Sequence, residues 1–178
     1  MRVFKVQKVQ NVSSECVVCG TRNPFSLGAK FFELEDDFLV GVLSPKDHHQ
    51  SYPQRMHGGM ISAVIDETIG RAVQIGVPDV WGVTGELKIR YIKPTPLNTE
   101  LRCFAKLVQN SARLFKGVAI LETDQGELVA SGEATYMKLD IDKISEGFGD
   151  DDWFYEEVKT PDTITLFNDN ALEKLCNK

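Results

Sequence analysis

The apolar residues between positions 60 and 73 follow the spacing of an α-helix. They occupy positions 60, 61, 64, 65, 69, 72 and 73, directly after the glycine pair at 58 and 59. These positions cover more than one stripe, and a helix that is apolar around most of its circumference is normally enclosed by other structure. The pattern predicts a central buried helix that ends before Gly76 and Pro78.

Most of the remaining apolar pattern is typical of strands. Residues 83–92 alternate between apolar and polar side chains, and residues 30–34 and 38–43 read as a hairpin. Further strands are predicted over residues 101–108, 114–123 and 128–139, and a short strand or extended arm over residues 2–9. Long antiparallel strands after one internal helix favour an α+β fold.

Asp66 is a carboxylate midway along the predicted helix. Such a group must reach water or have its charge offset by hydrogen bonds, so its position points to a function. Taken alone, a partly exposed aspartate without a role is the more common explanation. Glu67 and Arg71 are four residues apart with the acid first, which predicts a solvated ion pair.

His57, Gly58 and Gly59 stand where the helix begins, and there the backbone N–H groups lack helical acceptors and the helix dipole is positive. Such groups can stabilise charge that develops on a carbonyl oxygen during acyl transfer. Asp66 lies seven residues beyond Gly59, on nearly the same face but ~10 Å further along the axis. One helix therefore does not bring both groups to one carbon atom easily. Two antiparallel copies across a dimer axis can do so, with the amides from one chain and Asp66 from the other.

These residues resemble the signature of the hotdog-fold acyl-CoA thioesterases, in particular their phenylacetate-pathway (PaaI-like) branch. The motif combines His57, the two glycines, Asp66 nine residues after the histidine, and Gly70. The segment CVVCG at 16–20, followed by an Asn-Pro and a Leu-Gly pair, is similar to a leader in many bacterial members. The resemblance covers about residues 16–139. It implies a central helix wrapped by an antiparallel sheet of five or six strands, subunits that pair through their sheets, and active sites at the dimer interface.

The resemblance also implies roles for the central motif. Asp66 would act as a general base on water, or as a nucleophile through an anhydride, and the sequence does not separate these routes. The Gly59 amide would polarise the thioester carbonyl, and Gly58 would line the substrate. His57 would orient the loop and the substrate, although a purely structural imidazole is an equal alternative.

Four further residues are candidates for substrate or water contacts. Gln50 lies in a polar loop at 44–56, where relatives use Asn or Gln to position water or the thioester, and Ser51 stands where some relatives have Asn. Thr84 matches a Ser or Thr that holds the catalytic water, but a β-branched residue at a strand start explains it equally well. Arg113 corresponds to a basic residue that faces coenzyme A phosphates, although a solvated turn charge is more usual.

Length and charge divide the chain into three parts. We assign residues 1–28 to an N-terminal arm, 29–139 to a hotdog thioesterase domain with one core, and 140–178 to an acidic extension. The extension carries eleven acidic residues and four lysines, a net charge of −7, which leaves residues 1–139 at about +1 of the total of −6. Because no basic stripe is evident, nucleic acid is not an expected partner. No apolar run is long enough for a membrane span, and the charged N-terminus is not a secretory signal, so a cytoplasmic location is expected.

Two local features lie outside the motif. Cys16 and Cys19 have the spacing of half a zinc site, but only His48 and His49 are further candidate ligands, so two reduced thiols in a turn and no metal are expected. In the extension, the aromatic residues 153–155 follow an acidic run and are expected to dock on the domain or a partner. A short helix is predicted over residues 168–177.

The sequence thus predicts a hydrolase that converts an acyl-CoA or aryl-CoA thioester to the free acid and coenzyme A, without a cofactor beyond the coenzyme A of the substrate. A homodimer is expected, with a dimer of dimers as an open alternative. A non-catalytic acyl-CoA-binding or interaction module with the same fold is the main alternative function. A hotdog hydratase or dehydratase fits less well, because those relatives usually pair Asp and His at a different spacing.

Overall fold

The structure is a computed structural model that describes residues 1–177. An antiparallel sheet of eight strands wraps one long helix. Helix α1 spans Gly58–Arg71 and the shorter helices α2 and α3 span Ile141–Ile144 and Asp169–Cys176. The strands are β1 Arg2–Val9, β2 Val12–Ser13, β3 Lys30–Leu34, β4 Phe38–Leu43, β5 Gly82–Tyr91, β6 Leu101–Asn110, β7 Leu114–Thr123, β8 Leu128–Lys138, β9 Trp153–Phe154 and β10 Thr163–Leu166. The strand order in the large sheet is β10-β1-β3-β4-β6-β7-β8-β5.

The predicted α+β hotdog architecture is confirmed, but the prediction of five or six strands is wrong. The two additional strands come from the ends of the chain: β1 pairs with β3, and β10 of the extension pairs with the outer edge of β1. The small strands β2 and β9 form a separate two-stranded sheet that also joins the arm to the extension. Such pairing joins residues far apart in sequence, which local periodicity does not predict.

Helix α1 is enclosed, as its apolar circumference predicts. Its buried side chains pack on one face of the sheet, and two glycines of the sheet let the helix approach closely. A Cβ atom at Gly117 would lie 2.5 Å from Ile69 Cγ2, and one at Gly132 would lie 2.5 Å from Ile65 Cγ2. Any side chain at these two positions would therefore push α1 off the sheet.

The opposite face of the sheet carries a second core, and the C-terminal extension covers it. Phe4, Phe32 and Phe104 belong to this core together with Leu172 of α3, which lies against β6 and β7. The buried Glu122 carboxylate accepts hydrogen bonds from the Phe167 and Asn168 backbone amides at 2.9 and 3.0 Å. It also accepts one from Asn168 Nδ2 at 2.8 Å, so β7 holds the start of α3.

The predicted helix at 168–177 is confirmed as α3, and the predicted docking of the aromatic segment holds for part of it. Trp153 and Phe154 are half-buried against the domain, whereas Tyr155 is 61% exposed. Within residues 1–177, none of the helices combines the length and the apolar character needed to cross a membrane.

Candidate active site

The carboxylate of Asp66 is held by side chains from two strands of the sheet. Thr84 of β5 donates its hydroxyl hydrogen towards Asp66, with Oγ1 2.9 Å from Oδ1 and 3.2 Å from Oδ2. Tyr136 of β8 places its hydroxyl 2.8 Å from Oδ1 and 2.7 Å from the Asp66 main-chain oxygen. Asp66 itself is half-buried, so one side of the carboxylate stays accessible to water. A fixed, hydrogen-bonded and accessible carboxylate can take a proton from water or attack a carbonyl carbon.

Tyr136 was not among the site residues that the sequence predicted. The residue is buried, its ring stacks on Phe115 with centroids 4.7 Å apart, and its hydroxyl reaches α1. Burial raises the pKa of Tyr136 above its ordinary value, and the charge of Asp66 adds to this rise. Tyr136 therefore stays protonated and donates to Asp66. The sequence carries no local signal for this contact, but the structure shows that Gly70 makes room for the ring, because a Cβ atom there would lie 3.3 Å from it.

The start of α1 is organised by His57. The Gly59 amide donates to His57 Nδ1 at 2.9 Å, which caps the helix. On the neighbouring side, Tyr91 donates to the Gly58 main-chain oxygen at 3.1 Å and lies 2.7 Å from Ser62 Oγ. The structure therefore gives His57 a capping role. The amide assigned to the thioester carbonyl is already engaged, and the imidazole must turn away before Gly59 can reach a substrate.

The helix start and Asp66 form two separate groups within one chain. Both lie on the continuous helix α1, so Gly59 and Asp66 are ~10 Å apart along its axis. The hydrogen-bond partners of Asp66 are Thr84 and Tyr136, whereas those around the helix start are Ser62 and Tyr91. The structure brings Thr84 to Asp66 as the sequence suggested, and it does not bring His57 or Gly59 there.

The remaining candidate residues lie away from this contact. Gln50 Oε1 accepts from the Gln54 amide at 3.3 Å within the loop that precedes α1, and Ser51 is exposed in the same loop. Arg113 is exposed in the turn between β6 and β7, as predicted, where its main-chain oxygen accepts from Lys138.

The predicted solvated pair of Glu67 and Arg71 is wrong for the arginine. Arg71 is only 4% exposed, and its Nε lies 2.7 Å from Glu67 Oε1. The guanidinium is stacked between two rings, with Cζ 4.3 Å from the Phe31 centroid and 4.4 Å from that of Trp153. Trp153 comes from the extension, so the arginine is covered by a segment that is more than 80 residues away along the chain.

A small cavity adjoins Asp66. It has a volume of about 160 Å³, and its lining includes Asp66, Thr84, Tyr136, Trp81 and Trp153. Since its lining combines a carboxylate with aromatic rings, this cavity can admit water or a small apolar group beside Asp66.

The cysteine pair lies beside Glu67 of α1, the residue next to Asp66. All four cysteines are free. The neighbouring Cys19 thiol donates to Cys16 and lowers the pKa of Cys16 to about 7, while the same contact and burial raise the pKa of Cys19. His48 and His49 are not near the cysteines: His49 Nδ1 accepts from the Lys46 amide at 2.8 Å, and its Nε2 lies 3.0 Å from the Phe25 oxygen.

Comparison with known proteins identifies what this chain is similar to. The thioesterase superfamily profile matches residues 54–130, which include α1 and Thr84. Acyl-coenzyme A thioesterase THEM4 of Mus musculus is 32% identical over 117 residues, which cover 65% of this chain and 49% of THEM4, and that of Rattus norvegicus matches equally. This chain thus spans about half the length of the curated relatives it matches.

Solved structures with a similar fold also include a thioesterase superfamily protein. A crystal structure of the thioesterase superfamily protein RHA08564 has a TM-score of 0.64 and 26% identity, over 71% of this chain and 61% of that one. Protein BH2602 of Bacillus halodurans, solved with CoA, has a TM-score of 0.52 and 31% identity, over 56% of this chain and 70% of that one. The E. coli PaaI protein, at 16% identity and a TM-score of 0.58 over 64% of this chain and 80% of that one, shares the fold. This chain thus carries a thioesterase superfamily domain over residues 54–130.

Proposed function

We propose that this chain hydrolyses an acyl-CoA or aryl-CoA thioester to the free acid and coenzyme A. The carboxylate of Asp66, held on the central helix by Thr84 and Tyr136, is the observation that carries this proposal. THEM4 is named an acyl-coenzyme A thioesterase, and BH2602 was crystallised with CoA, which supports coenzyme A as the leaving group.

In the proposed reaction Asp66 either takes a proton from an attacking water or attacks the thioester carbon itself. Thr84 and Tyr136 both lie at Oδ1, so Oδ2 is the freer oxygen for either task. Charge then develops on the carbonyl oxygen, and a backbone amide at the start of α1 stabilises it. That amide is Gly59, which is released when the His57 imidazole turns away.

The proposed site requires two chains. Since α1 keeps Gly59 and Asp66 ~10 Å apart, each site takes its amide from one subunit and its carboxylate from the other. Strand β5 supports this arrangement, because it ends the sheet with one side unpaired and carries Thr84. Joining the sheets of two copies through β5 would pair its free backbone groups. Association into tetramers and the cytoplasmic location stay predictions.

Three residues outside the Asp66 contact are proposed to bind the substrate or the attacking water. Gln50 and Ser51 lie in the loop before α1 and would contact the thioester or water in the dimer. Arg113 lies in an exposed turn and would contact the coenzyme A phosphates, because guanidinium groups bind phosphate well.

Hydrolysis is tested by thiol release from a panel of acyl-CoA and aryl-CoA thioesters. We expect Asp66→Asn to lose at least ~100-fold in kcat and to keep its fold and dimer, because the shape of the side chain is retained. Arg113→Ala is the comparison variant, expected to raise KM and leave kcat. Full turnover by Asp66→Asn would refute the assignment. Tight binding of CoA esters by the unmodified protein without thiol release would favour the non-catalytic module.

The shared site is tested by mixing two inactive variants. Gly59→Pro removes the amide, and proline is tolerated in the first turn of a helix. If each site combines residues of two chains, a heterodimer of Gly59→Pro and Asp66→Asn has one intact site and one with both defects. Random mixing should then recover about a quarter of the activity of the unmodified dimer. A site within one subunit predicts no recovery, because every chain then carries one defect.

A further inference from the structure

Three potential metal ligands from two distant segments meet beside α1. The sulfur atoms of Cys16 and Cys19 and a carboxylate oxygen of Glu67 all lie within 4.8 Å of one another. Cys19 is fully buried, while Cys16 and Glu67 are half-buried, so the cluster has one open side. The sequence supplied only half of a zinc site here, and the structure adds the third ligand from α1.

The separations of these atoms suit a tetrahedral ion. A zinc ion with bonds of ~2.3 Å to sulfur and ~2.1 Å to oxygen places its ligand atoms ~3.5–3.8 Å apart. The three atoms therefore need to move inward by about 1 Å at most, within the reach of side-chain rotation. At larger separations between these atoms, side-chain rotation alone would not bring them to one ion, and the backbone would have to shift.

The loop around the cysteines is built to direct N–H groups at the sulfur atoms. The Val18 amide donates to Cys16 Sγ at 3.3 Å, and the Ser13 amide donates to Cys19 Sγ at 3.4 Å. Gly20 closes the turn with its amide 2.7 Å from the Cys16 oxygen, and a Cβ atom at Gly20 would lie 2.3 Å from that oxygen. Donors aimed at both sulfurs stabilise thiolates, which are the form that binds metals.

Arg71 donates hydrogen bonds to two of the three residues of the cluster. Its NH2 group donates to Cys19 Sγ at 3.0 Å, its Nε to Glu67 Oε1 at 2.7 Å and its NH1 to the Asn11 oxygen at 2.7 Å. Each of these contacts uses one lone pair and leaves others for a metal ion. Two thiolates and a carboxylate carry three negative charges, which a divalent cation and the guanidinium balance, so the filled site is neutral.

We propose that Cys16, Cys19 and Glu67 bind one zinc ion, with a water molecule in the fourth position and Arg71 hydrogen-bonded to two of the ligands. Zinc is the expected divalent cation, because it combines thiolate and carboxylate ligands in tetrahedral geometry. The ion joins the N-terminal arm to α1 at the residue next to Asp66. Its role is to hold the arm on the helix, and the proposed hydrolysis needs no chemistry from it.

The test is metal binding by the full-length protein, which does not depend on hydrolysis. We expect the reduced, metal-free protein to bind one Zn²⁺ per chain in calorimetry and to unfold at a higher temperature with the ion. Co²⁺ in place of Zn²⁺ should give a sulfur-to-cobalt charge-transfer band in the near ultraviolet and visible bands of tetrahedral cobalt.

Variants assign the ligands. Cys16→Ser, Cys19→Ser and Glu67→Gln should each weaken Zn²⁺ binding at least ~10-fold. With Co²⁺ bound, each cysteine variant should keep about half of the charge-transfer intensity, because one thiolate ligand remains. Cys176→Ser, a half-buried cysteine on α3, is the matched control and should bind as the unmodified protein does. Circular dichroism excludes loss of folding as the cause. The proposal is overturned if the reduced protein binds no zinc, if Cys176→Ser weakens binding equally, or if the pair is recovered only as a disulfide.

Discussion

The hydroxyl group of Tyr136 lies 2.8 Å from Oδ1 of Asp66 and 2.7 Å from the main-chain oxygen of the same residue. One buried side chain of the sheet thereby fixes both the carboxylate and the turn of α1 that carries it. Thr84 approaches the same oxygen from the neighbouring strand β5. The three residues come from positions 66, 84 and 136, so the carboxylate is oriented only after β5 and β8 have paired.

Tyr136→Phe should lower kcat about 10- to 100-fold with little change in KM. The variant loses one hydrogen bond to a charged group, which contributes ~1.5–3 kcal/mol. The variant keeps the ring that stacks on Phe115, so its free energy of unfolding should fall by less than it would if the whole ring were removed. Steady-state kinetics and urea unfolding of the two proteins measure both quantities.

The same variant gives a pH prediction. Because burial raises the pKa of Tyr136 above its ordinary ~10, the hydroxyl keeps its hydrogen at neutral and moderately alkaline pH. The ratio of the unmodified to the Tyr136→Phe rate should therefore stay constant between about pH 6 and about pH 9. A ratio that falls towards 1 in the alkaline part of this range would show that Tyr136 ionises there.

Thr84→Val should reduce kcat about 10-fold, whereas Thr84→Ser should stay close to the unmodified protein. Valine keeps the branched shape that suits the strand but cannot donate to Asp66, and serine keeps the donor. Since Thr84 is exposed, neither change should lower the unfolding temperature appreciably. Equal activity of the valine and serine variants would assign Thr84 a purely structural role in β5.

His57→Ala should lower the free energy of unfolding by ~1 kcal/mol, because the Gly59 amide loses its cap. His57→Asn should restore most of this stability, since asparagine caps helices well. The pair of variants separates two roles: if capping is the whole role of His57, asparagine restores hydrolysis as well. Stability without hydrolysis in His57→Asn would give the imidazole a further part in the reaction.

Leu172→Ala should lower the free energy of unfolding by about 2–5 kcal/mol, because the side chain is 1% exposed in the second core. Lys174→Ala on the same helix is the matched control and should change it by less than ~0.5 kcal/mol. Chemical denaturation measures both. Because α3 packs on the face of the sheet opposite α1, kcat of the folded Leu172→Ala protein should be unchanged.

Local patterns predicted the individual elements well. The helix began two residues earlier than its apolar pattern, at Gly58, and the strand predicted over 114–123 matches β7 residue for residue. The hairpin at 30–34 and 38–43 was also confirmed. These elements are visible because one buried face repeats every 3.6 or every 2 residues along the chain.

Contacts between distant parts of the chain account for the features that the sequence did not predict. The solvated pair predicted for Glu67 and Arg71 failed because Trp153, from the far end of the chain, covers the arginine. The contact between Tyr136 and Asp66 has no local pattern, since an inward-facing tyrosine on a strand reads as an ordinary core residue.

By itself, the amino-acid sequence determined the central helix, the carboxylate at 66 and the glycine-rich helix start, together with the family that this combination identifies. Periodicity and motif spacing involve residues that are close together in the chain, so they are visible in the sequence alone. Only the tertiary structure decided that Tyr136 also holds Asp66, how the ends of the chain complete the sheet, and that Glu67 meets the cysteine pair. Those contacts depend on strand register and on packing between segments that are more than 40 residues apart in the chain. At such separations, the way the chain folds back on itself decides which residues meet, and local spacing does not.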